Sequence, residues 1–303
     1  MHKLMIVSRQ KAAYEALFAK QPIAGLELTQ KPQEATILLA DPPKVAPLLD
    51  EFPALEWLQS TFAGIDALTD KSLRQDYTLT NIRGCFGQLI SEYVLGLAIA
   101  HQRHFATYQT QQRASHWQPH SYSTLAGKTM VILGTGSIGS HLARSAKALG
   151  FHLVGVNRSG TTSEPAFDTT LPLAGLNSAL KQADLVVSTL PATSGTNDIL
   201  NATSLGHCHK ALLFNVGRGN ALCETGLLSV LDSGAIAHAF LDVFKQEPLP
   251  QSHPFWQHPA ITITPHIAAE SFPHQVMAIL RSNAERWMNQ QPLRYTIDFQ
   301  HGY

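Results

Sequence analysis

Short apolar runs alternate with amphipathic stretches along the whole chain. In the first third, four apolar runs have the length and composition of buried β-strands, and one amphipathic stretch predicts a helix. The predicted strands are Leu4–Ser8, Ala35–Ala40, Glu56–Thr61 and Tyr77–Asn81, and the predicted helix is Ala12–Lys20. Because strands and helices that alternate with short connections build a parallel sheet covered by helices, this part of the chain is predicted to be an α/β domain.

A longer helical pattern around Glu92–His104 is expected to carry the chain out of this first domain. A second strand–helix series follows, with strands at Thr129–Leu133, Leu153–Asn157, Leu185–Thr189, Ala211–Val216, Ala237–Asp242 and Ile261–Thr264, and helices at Ser140–Gly150 and Glu224–Ser233. The last amphipathic stretch, Phe272–Asn289, predicts a helix that packs back on the first domain. The expected fold class is therefore α/β, with two parallel-sheet domains and a ligand cleft between them.

Composition excludes several classes of partner. The chain has 303 residues, and Lys plus Arg and Asp plus Glu both number 22, so the formal net charge is zero. Nucleic-acid-binding proteins usually carry a basic excess, so no nucleic acid is expected as a partner. The longest apolar stretch, around Val94–Ala100, is far shorter than the roughly 20 residues that a membrane-spanning helix needs. No membrane partner is expected either.

Cysteine usage and the N-terminus predict a cytoplasmic protein. The three cysteines are scattered and have no CxxC spacing, which is typical of reduced thiols rather than of a disulfide framework or a zinc site. The N-terminal apolar run is too short for a signal peptide and is followed at once by Arg9. Two histidine groups, His207-Cys208-His209 and His101 with His104, lack a third ligand at a recognisable spacing, so no metal is expected.

A glycine loop lies between a predicted strand and a predicted helix, and it has the sequence Gly134-Thr135-Gly136-Ser137-Ile138-Gly139. Gly134 allows a tight turn, Gly136 lets the backbone approach a pyrophosphate, and Gly139 permits close packing of helix on strand. The N-terminus of the helix adds amide donors and positive dipole charge for phosphates. A lone GxGxxG motif is weak evidence. Between a predicted strand and a predicted helix, however, the loop, with Ser137 and Ile138, predicts a dinucleotide site.

The residues at the end of the next strand bear on the choice of cofactor. NAD-binding versions of this motif carry an acidic residue there for the ribose hydroxyls, whereas this chain has Asn157-Arg158-Ser159. Arg158 can pair with a 2′-phosphate, and Asn157 or Ser159 can donate hydrogen bonds to it. This turn favours NADP(H) over NAD(H). The alternative is a solvated turn in an enzyme that is indifferent to the phosphate.

Three polar residues follow later strands of the second series: Arg218, Glu247 and His266. Because the carboxyl ends of parallel strands face the ligand crevice, these side chains are expected to converge. Arg218 can bind a substrate carboxylate and polarise a carbonyl, His266 can protonate a developing alkoxide, and Glu247 can hold His266 in place. Taken singly, each is more often an ordinary loop residue, and a chain with 15 histidines has many candidates. Taken together after a dinucleotide loop, they predict reduction of a 2-oxo acid.

At this point the sequence resembles the D-isomer-specific 2-hydroxyacid dehydrogenase family, and within it the glyoxylate- and hydroxypyruvate-reducing type. The motifs that carry the resemblance extend over nearly the whole chain: Gly134–Gly139, Asn215–Gly219, Leu241–Phe244, Glu247–Pro250, His253–Trp256 and Thr264–His266. The resemblance implies that Arg218, Glu247 and His266 are catalytic and that Arg218 and His266 also contact the substrate.

Further roles come from the resemblance alone. It implies that Asp242 binds the nicotinamide carboxamide. The cofactor site would be lined by Leu190, Pro191, Val216 and Gly217, and the backbone amides of Ala63 and Gly64 would hold the substrate carboxylate. It also implies a flavodoxin-like substrate domain formed by residues 1–97 and 270–303, a dinucleotide-binding Rossmann domain at 98–269, and a homodimer whose contact includes residues 102–128.

Alternative functions stay open from the sequence. A dehydrogenase of the same family could act on a larger 2-oxo acid or on phosphite, because one sequence does not reveal pocket size. A dinucleotide-sensing binding protein without catalysis could share the fold. The intact set of Arg218, Glu247 and His266 weighs against the sensor, so a small-molecule 2-oxo acid or 2-hydroxy acid is the expected partner.

Overall fold

The computed structural model describes residues 1–299, which divide into two compact units. The first contains Met1–Cys85 and the chain from Ser271 onward, and the second contains Phe86–Glu270. The boundary predicted after residue 97 therefore differs from the one observed after Cys85. The reason is that the helix beginning at Phe86 packs on the helix that follows the glycine loop, where Ser91 Oγ lies 3.0 Å from His141 Nδ1.

The first unit is built on a five-stranded parallel sheet. Its strands are β1 (His2–Val7), β2 (Leu26–Leu28), β3 (Ile37–Ala40), β4 (Trp57–Ser60) and β5 (Thr78–Thr80), in the order β2-β1-β3-β4-β5. Two helices connect them, α1 (Lys11–Lys20) and α2 (Pro42–Val45), and short 3-10 helices cover Pro32–Glu34, Ala46–Glu51 and Asp66–Leu68. Every residue of β3 and β4 is buried. Strand β3 is therefore apolar on both faces, whereas β4 also buries the polar residues Gln59 and Ser60.

The C-terminal helix, Pro273–Met288, belongs to this first unit, as predicted. Its Trp287 ring stacks on Trp57 with ring centroids 5.7 Å apart. Its buried Asn283 donates from Nδ2 to Gln59 Oε1 at 3.0 Å, so both polar side chains are satisfied inside the core. This helix thereby packs against the buried residues of β4.

The second unit has a seven-stranded parallel sheet in the order β12-β11-β10-β9-β6-β7-β8. The strands are β6 (Thr129–Leu133), β7 (His152–Asn157), β8 (Thr169–Pro172), β9 (Leu185–Ser188), β10 (Ala211–Asn215), β11 (Ile236–Leu241) and β12 (Ile261–Ile263). Along β6, Val131 and Leu133 enter one apolar cluster while Met130 and Ile132 enter another. Both faces are therefore covered, which explains the unbroken apolar run.

The helices of the second unit are α3 (Phe86–Gln102), α4 (Phe105–Arg113), α5 (Ser137–Ala148), α6 (Leu176–Leu180), α7 (Ala202–Leu205) and α8 (Glu224–Asp232). Short 3-10 helices cover Leu173–Gly175, Ser194–Thr196, Gly219–Ala221 and Pro254–Gln257. Of all these helices and those of the first unit, as far as residue 299, none is both long and apolar enough to span a bilayer.

The sequence pattern missed only short elements. Strand β2 has three residues and no β-branched side chain, and β8 is a partly exposed edge strand that ends in Pro172. Strands of this kind gain their stability from pairing with a neighbour rather than from their own apolar pattern. Helix α4 was also missed, because none of its residues is buried and its sequence has no apolar stripe.

Candidate active site

Parallel strands bring the predicted site residues of the second unit to one edge of its sheet. The segments that follow β12, β11, β10, β9 and β6 carry, in that order across the sheet, His266, Asp242, Gly217 with Arg218, Leu190 with Pro191, and the glycine loop. Asn157 is the last residue of the next strand, β7. This edge is where open α/β sheets bind their ligands. The order places the catalytic candidates at one end of the edge and the cofactor-selecting turn towards the other.

The glycine loop has the geometry that a pyrophosphate needs. Gly134 has φ +96°, a left-handed conformation that favours glycine. A Cβ on Gly139 would lie 1.9 Å from the Gly134 carbonyl oxygen, so α5 can approach the strand only without a side chain there. A Cβ on Gly136 would meet no atom within 4 Å, so this backbone faces open space beside the N-terminus of α5. The residues present therefore fit a dinucleotide phosphate.

The turn after β7 is shaped by the Asn157 side chain. Its Nδ2 donates to Thr135 Oγ1 and to the Thr161 carbonyl, both at 2.7 Å, and its Oδ1 accepts from Gly160 N at 2.6 Å. One amide hydrogen is thus used on the glycine loop and the other within the turn, while the contact of Asn157 with the cofactor stays a prediction. A carboxylate at this position could make neither donor contact. Arg158 and Ser159 lie exposed at the tip of the turn.

The two segments predicted to line the cofactor site pack directly on each other. A Cβ on Gly217 would lie 2.6 Å from the Leu190 carbonyl oxygen, so only glycine allows this approach. Thr189 Oγ1 donates to the Gly134 carbonyl at 3.1 Å and ties the segment to the glycine loop. Leu190 is buried and Pro191 is exposed.

Arg218 lies in a turn whose path is fixed by close backbone contacts. Asn215, fully buried, donates from Nδ2 to the Arg218 carbonyl at 3.0 Å. A Cβ on Gly219 would lie 1.9 Å from the Phe244 carbonyl carbon, so the turn presses on the backbone of residues 244–245. The guanidinium donates from Nη1 to the Gly217 carbonyl at 2.8 Å. The turn thereby places the Arg218 charge near the segment that carries Glu247.

Glu247 and His266 form a direct pair. His266 Nδ1 lies 2.7 Å from Glu247 Oε2, and Glu247 Oε1 accepts from the Phe244 N–H at 2.9 Å. An ionised carboxylate only accepts, so Nδ1 carries the hydrogen and the ring presents Nε2 for proton transfer. The His266 side chain is 51% exposed. The predicted pairing of these two residues is therefore present in the structure.

The pKa of each partner moves in the direction that an acid–base pair requires. The hydrogen bond to Glu247 raises the pKa of His266, against the opposing effects of burial and of the Arg218 charge. Burial alone would raise the pKa of Glu247, but hydrogen bonds from His266 and from the Phe244 N–H outweigh it and lower that pKa. Near neutral pH the geometry thus favours an ionised Glu247 and extends the protonated form of His266 to higher pH.

Asp242 holds the loop that carries His266. Its carboxylate, 2% exposed, accepts at Oδ1 from Thr264 Oγ1 at 2.6 Å and from the Ile267 N–H at 2.8 Å, and at Oδ2 from the Ala268 N–H at 3.0 Å. His266 has φ +55°, a left-handed conformation that costs a non-glycine residue about 1–3 kcal/mol. The bonds to Asp242 on both sides of His266 stabilise that conformation.

In the first unit, the loop that contains Ala63 and Gly64 follows β4, at the carboxyl edge of its own sheet. Asn81 donates from Nδ2 to the Ala63 carbonyl at 2.8 Å. The Ser60 hydroxyl accepts from the Phe62 N–H at 2.9 Å, which bends the chain into the loop. The carbonyl of Ala63 is thus fixed inward by a buried asparagine.

Sequence reasoning missed the polar residues that support these groups. Tyr93, on α3, places its hydroxyl 2.7 Å from Thr264 Oγ1, and the two are 171 positions apart in the chain. Thr135 and Thr189 support the glycine loop and the turn after β7 in the same way. No local pattern signals such contacts. Within residues 1–299, no group of three or more His, Cys, Asp or Glu side chains is placed to hold a metal ion.

Comparison with known proteins identifies the family. The model of the D-isomer specific 2-hydroxyacid dehydrogenase NAD-binding domain matches residues 95–268. The glyoxylate/hydroxypyruvate reductase A of Serratia proteamaculans is 38% identical over 200 residues, which cover 65% of this chain and 63% of that protein. The chain thus spans somewhat less than two thirds of that relative in the match.

Solved structures extend the likeness to the full chain. A D-isomer specific 2-hydroxyacid dehydrogenase family protein from Aeromonas salmonicida superposes with a TM-score of 0.94 at 44% identity, covering 98% of this chain and 99% of that one. An NADPH-dependent glyoxylate/hydroxypyruvate reductase from Sinorhizobium meliloti, in complex with NADP and sulfate, superposes with a TM-score of 0.88 at 26% identity over 100% of both chains. The fold and the sequence motifs therefore indicate the same family.

Proposed function

We propose that this chain, which belongs to the D-isomer specific 2-hydroxyacid dehydrogenase family, reduces a small 2-oxo acid such as glyoxylate or hydroxypyruvate to the 2-hydroxy acid. The observation that carries the proposal is the Glu247–His266 pair beside Arg218, at the sheet edge that also holds the glycine loop. The names of the similar reductases point to the same substrates. A larger 2-oxo acid is the alternative substrate.

Each side chain has one task in this proposal. Arg218 binds the substrate carboxylate and polarises the carbonyl, which makes its carbon more electrophilic. A bound nicotinamide supplies the hydride. His266 transfers the proton from Nε2 to the developing alkoxide oxygen, and Glu247 stabilises the protonated ring through Nδ1. The backbone amides of Ala63 and Gly64 in the first unit hold the substrate carboxylate, an assignment that rests on the family resemblance.

The test is NADPH oxidation with a panel of 2-oxo acids, with His266→Gln and Arg218→Ala beside the unchanged protein. We expect glyoxylate or hydroxypyruvate to give the highest kcat/KM and each variant to lose about 100-fold or more, the range for a positioned acid–base group. His209→Gln, which changes an exposed histidine after α7, is the control and should be neutral. Normal turnover in both active-site variants would contradict the proposal, and cofactor binding without turnover would favour a dinucleotide sensor.

We further propose NADPH as the preferred reductant, supported by the exposed Arg158 and Ser159 at the tip of the turn after β7 and by the NADP complex of the Sinorhizobium reductase. Because a guanidinium pairs with a 2′-phosphate and not with a hydroxyl, Arg158→Ala should raise KM for NADPH by about tenfold and leave KM for NADH within about twofold. Steady-state kinetics with both cofactors measure this difference. Equal changes for the two cofactors would refute the role of Arg158.

A homodimer in the cytoplasm completes the proposal. The segment predicted to form the dimer contact exposes three aromatic side chains, Trp117 (96%), Tyr122 (58%) and Phe105 (49%). Large exposed aromatic groups are typical of interfaces. Sedimentation should give twice the mass of one chain, and Trp117→Ala should weaken the association. The three free cysteines support a reducing compartment.

A further inference from the structure

A chain of short hydrogen bonds connects α3 to the loop of His266. Tyr93 Oη lies 2.7 Å from Thr264 Oγ1, which donates to Asp242 Oδ1 at 2.6 Å. Asp242 in turn accepts the N–H groups of Ile267 and Ala268. All these contacts lie within the second unit. They surround His266 in sequence without touching its ring.

The direction of each hydrogen in this chain is determined. Two backbone N–H groups point at the Asp242 oxygens, so the carboxylate is the acceptor, and the Thr264 hydroxyl must donate its one hydrogen to Oδ1. Tyr93 must therefore donate to Thr264. Burial raises the pKa of Tyr93 to about 12, so its hydroxyl keeps the hydrogen throughout the working pH range. All hydrogen bonds of this series therefore donate in one direction, from Tyr93 through Thr264 to Asp242.

The loop depends on this chain because Asp242 binds it at four points. Besides the Thr264 hydroxyl and the N–H groups of Ile267 and Ala268, the His266 N–H donates to the Asp242 carbonyl at 2.9 Å. A threonine hydroxyl can rotate to other acceptors unless a donor on its far side fixes it. Tyr93 supplies that donor from a rigid helix of 17 residues.

We propose that Tyr93 is a positioning residue for proton transfer: its hydroxyl orients Thr264, and through it the Asp242 carboxylate and the loop that holds His266 against Glu247. The inference rests on the proposed function in so far as His266 is the proton donor. It adds a residue from α3, far from the motifs, to the machinery of the site. The ring of Tyr93 also packs on the apolar cluster of the second unit, a role that phenylalanine would retain.

The charges that act on His266 make the effect measurable. Glu247 contacts the ring, Arg218 lowers its pKa, and Asp242 raises it. A looser Asp242 carboxylate would act less strongly, so removal of the Tyr93 hydroxyl should move the pKa of His266 downward. A residue that only fills space would leave this titration unchanged.

The experiment is a double-mutant cycle of Tyr93→Phe and Thr264→Val, with Thr264→Ser as the conservative variant that keeps the hydroxyl. We expect kcat to fall about fivefold in Tyr93→Phe, the typical effect of one hydrogen bond, and by about 10–30-fold in Thr264→Val. The double variant should equal Thr264→Val, because Tyr93 acts only through that hydroxyl. Thr264→Ser should stay within about twofold of the unchanged protein. Tyr108→Phe, which removes from α4 a hydroxyl that donates to the His120 carbonyl, is the neutral control.

The second readout is the NMR titration of the His266 ring in the cofactor-free protein, assigned by the loss of its signal in His266→Gln. A downward shift in Tyr93→Phe supports the inference whether or not the correct 2-oxo acid has been found. Unchanged kcat and an unchanged titration in Tyr93→Phe would overturn it, as would additive losses in the double variant. Failure of the proposed function shows differently, as normal turnover in His266→Gln.

Discussion

Each sheet ends one strand with a buried aspartate: Asp41 follows β3 and Asp242 follows β11. Asp41 accepts from Thr61 Oγ1 at 2.6 Å, and Asp242 accepts from Thr264 Oγ1 at the same distance. In both cases the threonine comes directly after the neighbouring strand, and its own N–H donates to the carbonyl just before the aspartate. The two units thus clamp a loop at the carboxyl edge of the sheet with the same set of groups.

The difference lies in what else each carboxylate meets. Asp41 also accepts the Arg9 N–H at 2.7 Å and has the Arg9 Nε at 3.9 Å, so a cation lies beside it. The Asp242 carboxylate accepts from a hydroxyl and two backbone amides, and its charge acts on His266. One arrangement therefore serves two purposes: paired with a cation it clamps a loop, and surrounded by uncharged donors it also tunes a neighbouring base.

The largest expected effect comes from exchanging each aspartate for asparagine. An amide cannot accept from all the donors that converge on either site, so both variants should lose about 1–3 kcal/mol of unfolding free energy. Asp242→Asn should in addition lower kcat by about 100-fold, because His266, the proposed proton donor, loses its support. Asp41→Asn should leave kcat within about fivefold and raise KM for the 2-oxo acid, since it loosens the loop of Ala63 and Gly64, which is proposed to hold the substrate carboxylate. Denaturant melts measure the stability and steady-state kinetics measure kcat and KM. Equal losses of kcat in the two variants would contradict the proposed difference between Asp242 and Asp41.

The next effect concerns pH and the second carboxylate near His266. Because its raised pKa keeps His266 protonated above the ordinary value of 6.5, reduction should persist there and fall as pH rises through that raised pKa. Glu247→Gln removes the hydrogen-bonded charge and leaves Asp242 to raise the pKa of His266 against Arg218, so this fall should move to lower pH. Reduction at neutral pH should decrease about tenfold, or roughly 1.4 kcal/mol.

Oxidation of the 2-hydroxy acid provides the matched control for that variant, because it needs the neutral His266 ring and should decrease less at the same pH.

The pair of Glu247 and His266 also affects the stability of the fold. The stability that comes from the raised pKa of His266 is fully present below pH 6.5 and is lost as pH rises through that raised pKa. The stability that comes from the lowered pKa of Glu247 is present above pH 4.5 and is lost as pH falls through that lowered pKa. Identical pH profiles for Glu247→Gln and the unchanged protein would show that the pair does not control the proton.

The smallest effect is expected at Arg9. Its side chain is 77% exposed and its Nε lies 3.9 Å from Asp41, so the ion pair is well solvated. Arg9→Ala should cost no more than about 1 kcal/mol of unfolding free energy, because the backbone N–H that binds Asp41 remains. Thermal melts of Arg9→Ala and Asp41→Asn test this, and comparable losses would mean that the charge, not the backbone bond, stabilises the clamp.

Much of the fold was predictable because its strands are buried on both faces. The predicted strands at Thr129–Leu133 and Leu185–Thr189 correspond to β6 and β9, where every second residue enters a different apolar cluster. The domain boundary was not predictable, because the apolar residues of α3 show that it is packed without showing on which unit. Edge strand β8 was not predicted either, because its pairing with β7 defines it and its sequence has no strand pattern.

At the site, the sequence by itself determined which chemistry is available: glycines for a phosphate, and an arginine, a glutamate and a histidine after parallel strands. These predictions need only the residue types, their order along the chain and the common direction of the parallel strands. Only the tertiary structure decided that Asn157 shapes its turn, that Asp242 holds the His266 loop, and that Tyr93 reaches Thr264 from another helix. A hydrogen bond acts over about 3 Å, and the chain brings such partners together only after it has folded.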